Sequence, residues 1–375
     1  MTDGGGPGSA PREATAAELE AWDRLTVHAP GGHVYQSRTW AEQRRRLGWT
    51  PLHVMLDPDH GALVLTRTAP LVRSTSAYVP RGPVSAGEPG SLAAARVATL
   101  ADWLAARGVD VVATDAEIPA ADVAYGQGLR RAGFHPIAEI QPSRHRVSLP
   151  LARDTDDAAV RAGLTKSTRQ RVAAAERDEV VVTRYDTGGW TGAHPLFSGP
   201  AADRPVDRAL GDFAMLLEGT GERRGFRFGP RDVFLDWWRA AHAAGLLVFL
   251  EARTDAGEVL GGLVLYRHGG RLSTVHSADA PGVRDRHPGV MHLLRWRGIQ
   301  LAVREGATEM DLGGVDVGPD HREPVAGDAM AGLYEHKRSF GARWVEMTGA
   351  HERVIRPWRH GLGRITARAA RLVGR

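Results

Sequence analysis

Between Leu246 and Gly314 the chain reads as three strands in series, LLVFLEAR, VLGGLVLYR and RLSTVHSA, then the long helix GVMHLLRWRGIQLAVREG, then the strand TEMDLGG. No other stretch narrows the fold as much. Short apolar runs followed by a helix and a further strand imply a mixed sheet covered by helices. The first half has a similar order. PLHVML and ALVLTR read as strands, and YVPRGPV as a stiff turn. SLAAARVATLADWLAARG reads as a helix stopped by Gly108, before the strand VDVVATD, the helix VAYGQGLRRAG and the strand HRVSLPL. At 375 residues the chain is long for one core. The reading is therefore α/β (α+β) in two lobes, with no repeat visible in the sequence itself.

The remaining segments fit around these. Residues 1–14 are rich in Gly, Pro and Ala and are expected to be disordered. Thr15 and Glu18 form a capping box at the head of a helix carrying Leu19, Trp22 and Leu25. A short helix from Trp40 to Leu47 ends at Gly48. DDAAVRAGLTKSTRQRVAAAER reads as one helix leading into VVVTRY, and residues 186–209 as loop, followed by two helices. GLYEHKRSFG reads as a helix, RWVEMTG as a strand, and RHGLGRITARAARLVGR as a basic terminal helix. In that tail Arg364, Arg368, Arg371 and Arg375 make a stripe suited to phosphates of RNA or lipid, or simply to solvent.

Composition excludes several functions. There is no cysteine, so disulfide frameworks and thiolate metal sites are absent. The opening MTDGGGPGSAPREA has no apolar core of a signal peptide, and no apolar run could span a bilayer, so a cytoplasmic protein is expected. The net charge of +4 permits a polyanionic partner without demanding one. No HExxH, GxSxG or phosphate-loop motif occurs. His287 and His292 are out of phase for one helical face, and no metal is expected. DLGGVDVG reads as a sheet-edge turn that lets another group approach the backbone.

Arginine supplies almost every cation, because only Lys166 and Lys337 are lysines among 48 Lys and Arg residues. Leu333, Lys337 and Phe340 share one helical face that is otherwise apolar. An ammonium there is costly unless it is paired, snorkelling or functional. Arg81 lies between Pro80 and Pro83, which fixes the aim of its side chain in either a binding or a plain surface turn. Asp115 ends the strand VDVVATD, where it can be a functional carboxylate or the cap of the next segment.

From Tyr35 to Arg353 these pieces resemble, in order, the Fem family of tRNA-dependent aminoacyltransferases that build peptidoglycan cross-bridges. YQSRTWAEQRRRLGW is similar to the family's opening motif, with Trp40 in place and Arg44 where lysine is common. YVPRGPV, with Tyr78 and Arg81, VVATD and IQPSRHRVSLPL follow, His145 replacing a threonine. LTKSTRQRVAAAERDEVVV resembles the basic helix, with Lys166, Arg169 and Arg171 as candidate tRNA contacts. RRGF, STVHSA with His276, LLRWRGIQLAVREGA, MDLGG and GLYEHKRSFG match the second-domain series, His336 replacing a phenylalanine beside Lys337.

The resemblance implies two tandem GNAT-like acyltransferase domains without the helical arm of many relatives. Domain 1 would span residues 15–150 plus 351–375, through a C-terminal helix returning to it, and domain 2 residues 151–350. It implies transfer of glycine or another small amino acid from aminoacyl-tRNA to a peptidoglycan precursor amine, with no cofactor. Lys337 would stabilise the transition state and Asp115 act as base or amine-orienting carboxylate. Arg44 and Arg81 would hold anionic parts of a UDP- or lipid-linked muropeptide, helped by either Arg227 or Arg231. Tyr78, Trp40 and His276 would line the substrate site. A monomer with peripheral contact at the inner membrane face is expected. Three other readings stand beside this one: a secondary-metabolite amine as acceptor, an acetyl-CoA-dependent GNAT enzyme, and a non-enzymatic RNA- or membrane-binding protein. RRAGFH and RWRGIQ each lack the last residue of the GNAT pyrophosphate motif.

Overall fold

The computed structural model describes residues 10–69, 73–188, 196–224 and 229–361. Two compact units divide the chain, residues 1–145 with 346–375, and residues 146–345. Arg227 and the arginine stripe of the tail lie outside the described residues.

The first unit is built on a seven-stranded sheet. Its strands run in the order Arg12–Glu13, Thr50–Asp57, His60–Ala69, Ser74–Val79, Val111–Thr114, His351–Val354 and His135–Pro136. Ser74–Val79 and Val111–Thr114 are parallel, and helix Gly90–Ala106 makes the crossover between them. That helix buries Ala94, Val97, Leu100, Ala101 and Leu104 in the core of the unit. Helix Val123–Arg131 packs on it so closely that a Cβ on Gly128 would lie 2.5 Å from the Ala94 methyl. The capping box at Thr15 is formed, Thr15 N donating to Glu18 at 2.8 Å. Its helix is two short pieces, Ala16–Glu20 and Trp22–Thr26. Arg12–Glu13, inside the stretch expected to be disordered, pairs with Val54 and Met55.

The second unit also holds a seven-stranded sheet. Its order is Arg343–Val345, Arg146–Pro150, Glu309–Asp311, Arg271–Asp279, Val259–His268, Leu247–Arg253 and Val181–Tyr185. The three strands in series form an antiparallel meander. Helix Val290–Arg304 then crosses over to bring Glu309–Asp311 parallel to Arg271–Asp279. Arg146–Pro150, which the sequence assigned to the first lobe, pairs instead with Glu309–Asp311 and Arg343–Val345. Its alternating VSL pattern fits either sheet, so the pattern cannot name the partner. The helix expected over DDAAVRAGLTKSTRQRVAAAER is broken. Leu164, with its extended backbone, ends Asp157–Gly163, and Thr165, also extended, caps Lys166–Arg177 through Thr168 N at 3.3 Å.

Two details of this second sheet prepare a site. The meander slips between Val264 and Leu265, leaving Val275 as a bulge beside His276. The parallel ladder ends at Ser273 and Asp311, while Arg271–Asp279 runs on. Beyond that point the chain after Asp311 leaves the ladder through Leu312, Gly313 and Gly314.

Candidate active site

Helix Ala331–Arg338 carries Lys337 inward, and the chain turns away at Gly341, whose φ is 83°. Phe340 is fully buried on the same face and Lys337 is only 4% exposed. The lysine Nζ donates to the carbonyl oxygens of Gly313, at 2.9 Å, and Gly314, at 3.1 Å. Among the described residues no carboxylate stands within ion-pair distance of it. Burial, reinforced by the charge of Arg295, brings its pKa down to about 7 against the pull of Asp311 and Asp316. Near neutral pH this side chain therefore exists both as ammonium and as free amine.

The carbonyls that hold Lys337 are themselves fixed. Asp311 Oδ1 accepts the Gly313 N–H at 2.7 Å. Gly313 adopts φ 80°, and a Cβ there would come within 2.8 Å of Thr274 O and 3.4 Å of the lysine Nζ. Only glycine suits that position.

Beside Lys337, the Nδ1 of His336 lies 3.1 Å from the Nε2 of His292. Burial, with Arg295 and Arg171 in support, holds His336 at about 2. Burial and Arg171 likewise hold His292 at about 4. Both rings are neutral at physiological pH. His276 sits between the rings of Phe234 and Trp238, with centroids 5.6 and 5.5 Å away, and desolvation lowers its pKa to about 4.

In the first unit the Y-x-PRGP turn is organised by one carboxylate. Asp115, almost wholly buried, accepts from the Tyr78 hydroxyl at 2.8 Å and from the Arg81 backbone N–H at 2.6 Å. Arg81 has φ 50°, a backbone state that a non-glycine residue keeps only when held there. Its guanidinium donates to Ser143 O at 3.0 Å and faces Asp115 and Glu117, each at 3.8 Å from Nε. Burial alone would weaken that cation, but the two carboxylates outweigh it and keep Arg81 charged. Burial raises Asp115, with Arg81 opposing, and raises the Tyr78 phenol well above its ordinary value. Gln141 donates to the Tyr78 oxygen at 3.0 Å. Trp40 stacks on Tyr35, centroids 4.2 Å apart, and the Arg44 guanidinium lies 3.7 Å over the Trp40 ring. Gln36, buried, donates to Pro80 O at 2.6 Å and accepts from Leu63 N at 2.8 Å, tying the opening motif to the turn.

The other sequence candidates fall elsewhere in the second unit. Lys166 and Arg169 line a groove of about 550 Å³ with Arg161, Gln170, Ala173 and Arg177. Arg171, on a different face of the same helix, is exposed and acts electrostatically on the His292–His336 pair. Arg231 opens helix Arg231–Ala243, is exposed, and pairs with Glu218 at 2.8 Å. Sequence reasoning passed over Gln36, Gln141, Arg295 and the role of Asp311, and weighed His292 only as a metal ligand. Arg295 lies in a helix that buries 11 residues, itself among them. Among the described residues no group of three or more His, Asp or Glu side chains is gathered to hold a metal. None of the described helices is long and apolar enough to cross a membrane.

Comparison with known proteins bears on the fold. Residues 166–338 match the sequence model described as the acetyltransferase (GNAT) domain. No curated protein matches the chain in sequence. The crystal structure of FemX superimposes with a TM-score of 0.75 at 18% identity, covering 94% of this chain and 99% of FemX. The chain has the FemX fold. L-PGS from Bacillus licheniformis shares it more distantly, with TM-score 0.53, 12% identity and coverage of 96% and 97%. A conserved protein of unknown function from Bacteroides thetaiotaomicron gives TM-score 0.53 at 11% identity, covering 91% of this chain and 97% of its own. The whole chain thus shares the fold of FemX, and most of the second unit matches the GNAT domain model.

Proposed function

We propose that this protein is an aminoacyltransferase that moves glycine or another small amino acid from aminoacyl-tRNA to the side-chain amine of a peptidoglycan precursor. The observation that carries the reading is Lys337, a buried amine held on two peptide oxygens in an acyltransferase domain. The collinear Fem-like motifs and the FemX fold support the choice of donor.

The reaction needs little beyond positioning and proton handling. The acceptor nitrogen attacks the ester carbonyl, a C–N bond forms, and the C–O bond to the ribose breaks. The attacking nitrogen loses a proton and the ribose oxygen gains one. A lysine titrating near 7 suits both tasks: its free amine takes the first proton and its ammonium supplies the second. As ammonium it also stabilises the oxyanion between the two steps. The ester stores the driving force, so no cofactor is required.

In the first unit Arg81 and Arg44 hold anionic parts of a UDP- or lipid-linked muropeptide, with Tyr78, Trp40 and Asp115 shaping that site. Both oxygens of Asp115 already accept hydrogen bonds, which favours an orienting role over that of a base. His276 lines the second-unit site. The cationic groove containing Lys166 and Arg169 suits the phosphates of the tRNA. The protein would act as a monomer, in peripheral contact with the cytoplasmic membrane face.

The test is transfer of labelled amino acid from charged tRNA to a muropeptide precursor, with and without RNase. Transfer abolished by RNase supports the reading. RNase-insensitive transfer, or none from any aminoacyl-tRNA, overturns it.

A further inference from the structure

The last paired residue of the ladder next to Lys337 is a carboxylate that does not touch the lysine. Asp311 pairs with Ser273 on one side and Ser148 on the other, and its side chain is buried. Its Oδ1 reaches over the next residue to accept the Gly313 N–H at 2.7 Å. The same glycine presents its carbonyl both to Val147 N, at 3.3 Å, and to Lys337 Nζ, at 2.9 Å. The Gly313–Gly314 turn is therefore pinned from behind by Asp311, from the side by Val147 and from the front by the lysine.

We infer that Asp311 is a positioning residue for the transfer step, acting on the Lys337 amine through the Gly313–Gly314 turn. The inference rests on the proposed role of Lys337 and adds the residue that aims it. A neutral amine has two N–H bonds and one lone pair. With both N–H bonds taken by the Gly313 and Gly314 carbonyls, the lone pair has one remaining direction. In the ammonium the third N–H occupies that direction. The turn thus fixes where the proton is taken up and where it is returned. Loss of the Asp311 anchor frees the turn, and the carbonyls no longer hold the amine to one orientation.

Asp311 also acts through its charge. The charged and titratable groups around Lys337 are Arg295 on helix Val290–Arg304, Asp311 and Asp316 after the ladder, and His336 on its own helix. Arg171 and His292 face that histidine. The two carboxylates favour the ammonium; burial and Arg295 favour the amine. Two substitutions separate the two routes. Asp311→Asn keeps an oxygen for the Gly313 N–H and removes the charge, whereas Asp311→Ala removes both.

The experiment uses the full chain with 13C-labelled lysine. With two lysines in the sequence, the ε-methylene region shows Lys166 and Lys337 alone, and Lys337→Met assigns them. Asp311→Asn is expected to move the Lys337 titration toward lower pH by about one unit, leaving Lys166 in place. The acid limb of the transfer rate moves with it. Asp311→Ala is expected to lower kcat by about tenfold or more with KM little changed. An unmoved Lys337 titration in Asp311→Asn, or full kcat in a folded Asp311→Ala protein, overturns the inference. The titration needs no substrate, so it tests the link between Asp311 and Lys337 even if tRNA-dependent transfer is not found.

Discussion

The imidazoles of His336 and His292 meet edge to face, with Nδ1 of the first 3.1 Å from Nε2 of the second. Burial, with Arg295 and Arg171 in support, keeps both neutral, with pKa values lowered to about 2 and about 4. In the unfolded chain both protonate near pH 6.5. A base whose folded pKa is depressed contributes stability that is lost as pH falls below the unfolded value. Stability is therefore expected to drop between pH 6.5 and 4. His336→Phe should flatten that drop by roughly 1–3 kcal/mol. Denaturant unfolding at pH 7 and pH 4.5 measures it, and an equal drop in both proteins would remove the pair from the account.

Lys337 makes the opposite kind of demand on folding. Its folded pKa of about 7 lies below the ordinary lysine value, so the unfolded state binds the proton more tightly. The cost of burying it is full below pH 7 and disappears as pH approaches 10.5. Relative to the wild type, Lys337→Met is expected to gain stability at pH 7 by a few kcal/mol, on the order of what such a shift implies, and to lose that gain by pH 10. A pH-independent difference would mean that the lysine is ordinary in the folded state.

Activity follows the same group. The rate of transfer should rise with pH through about 7, as the free amine appears. Lys337→Met and Lys337→Arg should both lose about 10²–10³ in kcat, since a guanidinium neither accepts a proton nor fits between two peptide oxygens. An arginine variant with full activity would leave Lys337 without a proton-handling role.

In the first unit, Asp115 gathers Tyr78, the backbone of Arg81 and the Arg81 guanidinium around one buried carboxylate. Asp115→Ala leaves the Tyr78 hydroxyl and the Arg81 N–H without their acceptor, removes one of the two carboxylates facing the Arg81 cation, and should cost about 2–4 kcal/mol of stability. Tyr78→Phe should cost only about 1 kcal/mol. In kinetics the Asp115 change is expected to raise KM for the acceptor more than it lowers kcat. The reverse split would assign Asp115 to the chemical step.

For the groove of Arg161, Lys166, Arg169 and Arg177, the readout is salt. Replacing Lys166 and Arg177 by alanine should weaken RNA binding and reduce the slope of log affinity against log salt by about 1–2. Fluorescence anisotropy with labelled tRNA at several salt concentrations measures this. An unchanged slope would place the RNA elsewhere.

Much of the site was legible because special residues stood at readable phases. The Leu333, Lys337, Phe340 spacing put the lysine inward, and the two prolines around Arg81 marked a fixed turn. What holds those residues was not legible, because it depends on register. That Asp311 ends opposite Ser273, and that Gly313 O then faces Nζ, follows from ladder alignment, which no local pattern encodes. Arg295 was hidden by helix periodicity, since a helix buried on several faces gives no single stripe against which a cation stands out. The break at Thr165 needed the capping oxygen to be seen at work. Its N–H also donates to Ser339 O at 2.9 Å, a tertiary contact unavailable to sequence reasoning.

His351–Val354 lies between Val111–Thr114 and His135–Pro136 in the first sheet, and all the residues of the second unit precede it in the chain. The ribosome therefore delivers the whole second unit before the strand that closes the first. Until then Val111–Thr114 and His135–Pro136 present unpaired edges, the kind of surface that recruits foreign strands. The second unit, one continuous segment, can fold first, and a chain stopped at residue 345 should expose that gap permanently. His351–Val354 is, in effect, the lock on a door framed more than 200 residues earlier.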